Sequence, residues 1–364
     1  MWIEPTHEKI FYNGRIDWKN ENAPVFVFPA TYAQMRFTGN FIKIHLSNRC
    51  AYWDNYLGYI LDGKQGKVLL PQNGEFVFQL NGDIFPTEIT SVTGDDSVAE
   101  KGSIHELIIF KRQDSCHEIT FLGAELEDGA ELLDLPKTSK PSERKLLVFG
   151  DSVSAGEVSE AIDFTGKADP VHNGEYSNSW YSYAWMTARK LNTQIHDIAQ
   201  GGVALMNGTG WFYEPQAIGM ESVWDKIHYN PELGVTETWD LMKYIPQVVI
   251  VAIGQNDSHP VDHMKEDYEG AISKMWRKHY KQFLQTLRTQ YPNAQIVCIT
   301  TLLEHDSSWD RAISQVVGEL GDEKITQYLF KRNGSATPGH LRISEAEEMS
   351  EELAEYLQGT FANI

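Results

Sequence analysis

The stretch KLLVFGDSVSAGEV, residues 145–158, decides the fold of the second half of the chain. The apolar run from Leu146 to Phe149 predicts a buried strand. The strand ends in Gly150, Asp151 and Ser152, which are turn-forming and polar residues. In a parallel sheet covered by helices, ligands bind beyond the carboxyl ends of the strands. No packing requirement explains a serine at this position, so Ser152 is a candidate functional residue if partners for it follow in the sequence.

The sequence after residue 145 alternates apolar strands with amphipathic helices. Such alternation predicts an α/β domain with a central parallel sheet and helices on both faces. The predicted strands after the first cover 194–202, 247–257 and 294–303, and the predicted helices cover 178–192, 275–291 and 344–359.

The first 135 residues have a different pattern. Short runs rich in β-branched and aromatic residues are separated by turn formers such as Asp62-Gly63, and no long helical period occurs. This spacing predicts an all-β sandwich. The predicted strands are 25–29, 34–39, 41–47, 56–63, 67–71, 75–80, 105–112 and 117–126.

A stretch with two prolines and several charges, LLDLPKTSKPSERK at 132–145, separates the two patterns and predicts a linker. The chain of 364 residues is also long for one domain. We therefore expect a multidomain protein with a β-sandwich at 1–135, a linker at 136–145 and the α/β domain at 146–364.

The net charge of −20, from 31 basic and 51 acidic residues, argues against nucleic acid and anionic membrane surfaces as partners. No apolar stretch reaches the roughly 20 residues of a membrane span.

Three widely spaced cysteines argue against a disulfide framework or a zinc site. The first residues lack the pattern of a signal peptide, so the sequence as it stands predicts a cytoplasmic protein, or a secreted one if a signal has been removed. The sequence leaves open whether the chain forms a homo-oligomer.

Four polar segments at predicted strand ends or beside the closing helix fit one kind of chemistry. A serine hydroxyl becomes a nucleophile when a base takes its proton, and His340 can be that base. Attack on an ester creates an oxyanion, which N–H donors must stabilise. The backbone of Ser152, the backbone of Gly202 and the side chain of Asn256 would supply three donors. We expect no cofactor and no metal.

The segments GDSVSAGE, IAQGGVAL, AIGQND and PGHLRISEAEEMSEEL resemble the four blocks of the SGNH/GDSL hydrolases. With its β-rich first half, including QMRFTG, YILDG and HELIIFKR, the chain resembles carbohydrate esterase family 2. This resemblance implies a jelly-roll sandwich joined to an SGNH domain that removes O-acetyl groups from plant polysaccharides. It also implies Ser152 as nucleophile, Gly202 and Asn256 as oxyanion partners, and His340 as base.

One position departs from that pattern. These hydrolases usually carry an aspartate two or three residues before the histidine, where this chain has Pro338 and Thr337. We therefore expect a Ser–His dyad in which a backbone carbonyl orients His340. The alternative is a carboxylate from elsewhere, with Asp306 and Glu304 as candidates.

Two further features bear on the ligand. Trp211 and Tyr213 lie in the glycine-rich stretch NGTGWFYEP and are candidates for stacking on a sugar ring, with core packing as the alternative. The segment HPVDH at 259–263 has histidine spacing found in metal sites, although spacing alone favours ordinary loop residues.

The leading interpretation is a serine esterase, of acetyl xylan esterase type, acting on acetylated oligosaccharides or polysaccharides such as xylan or glucomannan. Two alternatives stay open. A general GDSL lipase or acyl-thioesterase would share the four blocks, and a non-catalytic carbohydrate-binding protein would explain the missing aspartate.

Overall fold

The computed structural model describes residues 1–81 and 103–362. Two antiparallel sheets form before residue 134, and a parallel sheet begins at Lys145. The expected arrangement of a β-rich half followed by an α/β half is therefore confirmed. Within the described residues, no helix is both long and apolar enough to cross a membrane.

The amino-terminal sheets pack face to face around a shared apolar interior. One sheet has the order β3-β4-β11-β6-β9 with β1 paired to β11, and the other has the order β12-β5-β10-β7-β8 with β2 paired to β5. Alternate residues of β6 are buried, as expected for a strand with one face in a core. The strands are Trp2–Ile3 (β1), Phe11–Asn13 (β2), Ile16–Asp17 (β3), Val25–Phe26 (β4), Tyr32–Thr38 (β5), Phe41–Cys50 (β6), Tyr56–Leu61 (β7), Lys64–Leu69 (β8), Asn73–Asn81 (β9), Ile104–Lys111 (β10), His117–Leu126 (β11) and Leu132–Leu133 (β12).

The carboxyl-terminal sheet has the order β14-β13-β17-β18-β19, and each of its pairings is parallel. The strand β13, which lies between β14 and β17, is the apolar run that precedes Ser152. A separate antiparallel pair joins β15 and β16. The strands are Lys145–Gly150 (β13), Gln194–Ala199 (β14), Lys226–His228 (β15), Glu237–Thr238 (β16), Val248–Val251 (β17), Gln295–Cys298 (β18) and Ile325–Gln327 (β19).

Helices cover both faces of this sheet. Leu147 and Phe149 of β13 point into a core with α5 and α6, whereas Leu146 and Val148 point into a second core with α2 and α7. Alternate residues of one strand thus serve opposite layers. The helices are Ser152–Ala155 (α1), Tyr183–Lys190 (α2), Met220–Val223 (α3), His263–Glu266 (α4), Ala271–Gln290 (α5), Ser307–Leu320 (α6) and Ile343–Ala362 (α7).

The two halves share a buried boundary. Phe28 of the first half stacks on Tyr229 of the second with ring centroids 5.3 Å apart. Tyr32 stacks on Trp185 of α2 at 5.5 Å. Because these rings belong to the same apolar cores as the parallel sheet, the sandwich is packed against the α/β half and adjoins its functional site.

Candidate active site

Ser152 follows the carboxyl end of β13, a strand flanked by β14 and β17 inside the parallel sheet. It is the first residue of α1, and the Asp151 side chain caps this short helix by accepting from the Val153 amide at 3.0 Å. Gly150 is required because a Cβ there would lie 2.0 Å from Ser154 Oγ. The close approach of strand and helix fixes Ser152 at the sheet edge, where its side chain borders two cavities.

His340 reaches the same point from the other end of the domain. The segment before it is fixed by a bridge between Leu303 and Thr337, and α7 begins three residues later. His340 Nε2 lies 2.7 Å from Ser152 Oγ. The structure thus brings together the two residues that the sequence proposed as base and nucleophile.

The second ring nitrogen of His340 faces a carboxylate, which corrects the expectation of a backbone carbonyl. His340 Nδ1 lies 2.5 Å from Asp169 Oδ2. Asp169 Oδ1 accepts hydrogen bonds from the His340 amide at 2.9 Å and from Arg342 Nη2 at 2.8 Å. Asp169 lies in the polar loop between α1 and α2, so the geometry is that of a Ser–His–Asp triad with its acid on an unexpected loop.

The two acids that the sequence put forward lie elsewhere. Asp306 is the N-cap of α6 and accepts from the Ser308 amide at 3.0 Å. Glu304 is exposed on the wall of the cavity, and its amide donates to Thr337 O. The prediction of either as partner of His340 is wrong, since the Nδ1 position is taken by Asp169.

The hydrogen bonds around Asp169 set the protonation states of the site. Burial acts to raise the pKa of Asp169, but hydrogen bonds from His172, His340 and Arg342 outweigh it and hold that pKa far below its usual range. For His340, burial lowers the pKa, whereas the Asp169 hydrogen bond and the charge of Glu157 raise it; the net pKa lies above 6.5. Asp169 is therefore ionised at neutral pH and stabilises a protonated His340.

Gly202 occupies a conformation that only glycine adopts easily. Its φ is +73°, and a Cβ there would lie 2.8 Å from Trp211 Cβ. Among the described residues, the amides of Gly202 and Ser152 have no hydrogen-bond acceptor. Both residues line one cavity of about 560 Å³ together with His340. These amides are thus available to a bound oxyanion.

Asn256 lines the same cavity, in the turn after β17. Its Nδ2 donates to Val203 O at 3.1 Å, which fixes the amide beside the Gly202 loop. The next residue, Asp257, is buried and accepts from the amides of Leu205 and Met206 at 2.7 Å and 3.2 Å. Burial raises the pKa of Asp257 to about 6. Asp257 therefore holds the loop that carries Gly202.

Ser152 lies where two cavities meet. The 560 Å³ cavity runs toward the sandwich and is lined by Tyr52, Trp53 and Tyr213. A second cavity of about 730 Å³ runs toward α6. Four residues line both cavities: Ser152, Trp211, Asn256 and His340. Trp211 and Tyr213 are 57% and 38% exposed, so the structure places them on the cleft and not in the core.

His259 of the HPVDH segment contacts two residues that line the cleft. His259 stacks on Trp211 with ring centroids 3.3 Å apart, and its Nε2 contacts Glu214 at 2.6 Å. Within the described ranges, one group of His, Cys, Asp or Glu side chains is close enough to share an ion. That group is Asp169, His172 and His340, in which each histidine is hydrogen-bonded to the Asp169 carboxylate.

The sandwich contributes a buried acid that the sequence analysis did not single out. Asp114, in the turn between β10 and β11, accepts from the Gly201 amide at 2.7 Å and from Gln200 Nε2 at 2.6 Å. Its side chain therefore fixes the segment just before Gly202 from the other half of the molecule. A turn acid carries no periodic signal, which is why only the folded chain reveals it.

This fold and site define a class: a parallel α/β sheet with an attached β-sandwich and a Ser–His–Asp constellation at a strand end. The resemblance to carbohydrate esterase family 2 is confirmed by comparison with known proteins. The family model described as carbohydrate esterase 2 N-terminal matches residues 12–84.

Two curated proteins and a solved structure extend the comparison over most of the chain. The chain is 28% identical to Cellulase/esterase CelE of Acetivibrio thermocellus over 356 residues, which is 94% of this chain and 38% of that protein. It is 27% identical to an acetylxylan esterase / glucomannan deacetylase of Cellvibrio japonicus over 247 residues, 65% of this chain and 60% of that protein. The chain thus spans less than two thirds of the length of either relative. A family two carbohydrate esterase from Clostridium thermocellum, solved with cellohexaose, has the same fold with a TM-score of 0.75, 24% identity and coverage of 98% and 100%.

Proposed function

We propose that the chain is a serine esterase that removes O-acetyl groups from plant cell-wall polysaccharides or their oligosaccharides. The observation that carries this proposal is the row of hydrogen bonds from Asp169 through His340 to Ser152, which ends in a cleft. A carboxylate, an imidazole and a hydroxyl in this order are the parts of an activated serine nucleophile.

In the acylation step, His340 Nε2 takes the proton of Ser152 as Oγ attacks the acetyl carbon. The carbonyl oxygen becomes an oxyanion and accepts hydrogen bonds from the amides of Ser152 and Gly202 and from Asn256 Nδ2. When the intermediate collapses, the bond to the sugar oxygen breaks and His340 gives its proton to that oxygen. The acetyl group remains on Ser152.

In the deacylation step, His340 takes a proton from water, and the resulting hydroxide attacks the acetyl-serine. The same donors stabilise the second oxyanion. Collapse releases acetate and returns the proton to Ser152 Oγ. In both steps Asp169 accepts from His340 Nδ1, which fixes the tautomer and stabilises the imidazolium.

The cleft supports a carbohydrate as substrate. Trp53, Trp211 and Tyr213 present aromatic surface, and Glu214 and Glu232 present hydrogen-bond acceptors beside it. Apolar ring faces and sugar hydroxyls match such a surface. The relatives named as acetylxylan esterase / glucomannan deacetylase and as a family two carbohydrate esterase with cellohexaose support the same substrate class.

The two alternatives have less support. The non-catalytic interpretation rested on the missing aspartate before His340, and Asp169 takes the role of that acid from another loop. A lipase or thioesterase needs an apolar acyl site, whereas the cavity toward α6 is lined by polar and charged groups, including Lys265, Glu304 and Asp306.

A substrate series tests the proposal. Acetate release from acetylated xylan and acetylated glucomannan is measured beside hydrolysis of p-nitrophenyl acetate, butyrate and octanoate, with Ser152→Ala as the control. We expect release from a polysaccharide, a steep fall with acyl length and no turnover by Ser152→Ala. A preference for octanoate would favour the lipase interpretation. Wild-type turnover by Ser152→Ala would exclude Ser152 as the nucleophile.

We further propose that the sandwich is a jelly roll and that the domains run over 1–135 and 146–364 with a linker between them. The orders of the two antiparallel sheets support the first point. The change from antiparallel to parallel pairing between β12 and β13 supports the second.

A further inference from the structure

A second histidine shares the catalytic carboxylate. His172 Nε2 lies 3.2 Å from Asp169 Oδ2, the same oxygen that faces His340 Nδ1. The other nitrogen, His172 Nδ1, lies 2.6 Å from Glu157 Oε1. An unbroken row of hydrogen bonds therefore runs from Glu157 through His172, Asp169 and His340 to Ser152.

The two imidazoles face different kinds of partner. Both nitrogens of His172 face carboxylate oxygens, which only accept, so this ring satisfies both as an imidazolium with two N–H donors. His340 has one nitrogen against Asp169 and the other against the hydroxyl of Ser152, which can donate. The geometry thus fits a protonated His172 beside a neutral His340. In agreement, hydrogen bonds from Asp169 and Glu157 raise the pKa of His172 to about 10.

The charges of the four groups joined by hydrogen bonds to Asp169 or His172 sum to zero in this state. The carboxylates of Glu157 and Asp169 are matched by His172 and by Arg342, whose side chain is fully buried against Asp169 Oδ1. Two further acids lie beside these four groups. Burial raises the pKa of Asp151 to about 6, and burial together with the charge of Glu157 raises the pKa of Asp114 of the sandwich. The His172 and His340 ring centroids are 5.3 Å apart, so a charge on one acts directly on the other.

We propose that His172 is a positioning residue for the esterase reaction: it holds the shared oxygen of Asp169 and, as a cation, keeps His340 free of a proton so that it can act as base. The inference rests on the proposed function, since it concerns how that site stays competent. His172 is suited to this task because it lies on the loop that carries Asp169 and packs against Trp53 of the sandwich with ring centroids 6.1 Å apart.

The sign of the effect follows from the charges. Without the His172 cation, the groups around His340 carry a net negative charge, and His340 binds its proton more tightly. Because the base must be unprotonated, the acidic limb of the kcat/KM profile then moves to higher pH. For two charges about 5 Å apart in a partly buried site, a shift of about one to two pH units is expected.

The test compares pH profiles of acetyl ester hydrolysis for wild type, His172→Gln, His172→Lys and a control, His228→Gln. Glutamine keeps a donor for Asp169 without the charge, and lysine keeps the charge. His228 also bridges two carboxylates, Glu118 at 2.7 Å and Asp17 at 3.0 Å, but it lines neither cavity. We expect the acidic limb of the kcat/KM profile to move up by about one to two pH units in His172→Gln and to stay near wild type in His172→Lys and His228→Gln.

A second measurement does not depend on any variant at His172. In the NMR titration of the histidine Hε1 protons, His172 should remain protonated at neutral pH while His340 titrates. A His172 that is neutral at pH 7, or a limb unchanged in an active His172→Gln enzyme, would overturn the inference. A wild-type protein that releases no acetate would instead contradict the proposed function.

Discussion

Asn256 is the oxyanion donor whose side chain can be removed without touching the nucleophile or the base. Its Nδ2 donates to Val203 O at 3.1 Å and contacts Asp151 Oδ2 at 3.4 Å, which holds the amide beside Ser152. We predict that Asn256→Ala lowers kcat by about 100–1,000-fold with a smaller effect on KM, because the donor acts mainly in the transition state. Steady-state kinetics on an acetyl ester test this, with the exposed Asn293→Ala as control. An unchanged kcat would show that Asn256 does not donate to the oxyanion.

Active-site residues that lie in compact sequence motifs could be predicted from the sequence. Ser152 and His340 each follow a recognisable segment, and the structure brings them together. Asp169 lies 171 positions from His340 in a loop without periodicity. Its identity depends on hydrogen bonds from the His340 amide and Arg342 that exist only after folding. Asp306 resembled a free acid, but an aspartate before a helical segment is an N-cap signal.

At the scale of elements, the loop after β14 must bring the Gly202 amide into the cleft. Gly202 and Gly208 both have positive φ, +73° and +83°, but a Cβ at Gly208 meets nothing within 4 Å. We predict that Gly202→Ala lowers kcat by at least about tenfold, because the loop must shift away from Trp211, whereas Gly208→Ala costs only backbone strain of roughly 1 kcal/mol in stability.

Kinetics and thermal unfolding of both variants test this prediction. The two substitutions share the strain and differ in the contact with Trp211. If the two variants lose kcat equally, steric contact at Gly202 does not control the site.

Most elements with strong periodicity were predicted, but one amphipathic helix with cap residues at both ends was missed. The strand at 117–126 coincides with β11, and the helix predicted at 344–359 lies within α7. The helix predicted at 178–192 begins at Tyr183, because Ser182 caps it after a separate turn. The helix α6 was not predicted. Its cap, Asp306, was interpreted as a catalytic candidate instead.

At the scale of the whole molecule, the sandwich is part of the site. Asp114 of the sandwich accepts from the Gly201 amide and from Gln200, next to the oxyanion glycine. We predict that Asp114→Asn lowers kcat by about 10–100-fold, because the amide accepts through one oxygen only and leaves a buried N–H group without its partner.

Glu118→Gln is the matched control for this prediction. Glu118 is also a buried acid of the sandwich, but it contacts His228 and Arg49, away from both cavities. Both variants should lose stability, and kcat should fall only in Asp114→Asn. An equal fall of kcat in both variants would mean that the contacts between the sandwich and the α/β half affect activity only through stability.

The most direct test of the account is kcat/KM of Asp169→Asn on an acetyl ester, measured across pH beside Asp306→Asn. Asp169→Asn should lose about 1,000–10,000-fold, because asparagine neither stabilises the imidazolium nor selects the right tautomer. Its acidic limb should move to lower pH, since the Asp169 hydrogen bond raises the pKa of His340. Asp306→Asn should stay within about tenfold of wild type, because asparagine also caps α6. An Asp169→Asn enzyme within about tenfold of wild type would contradict the triad and return the site to a Ser–His dyad.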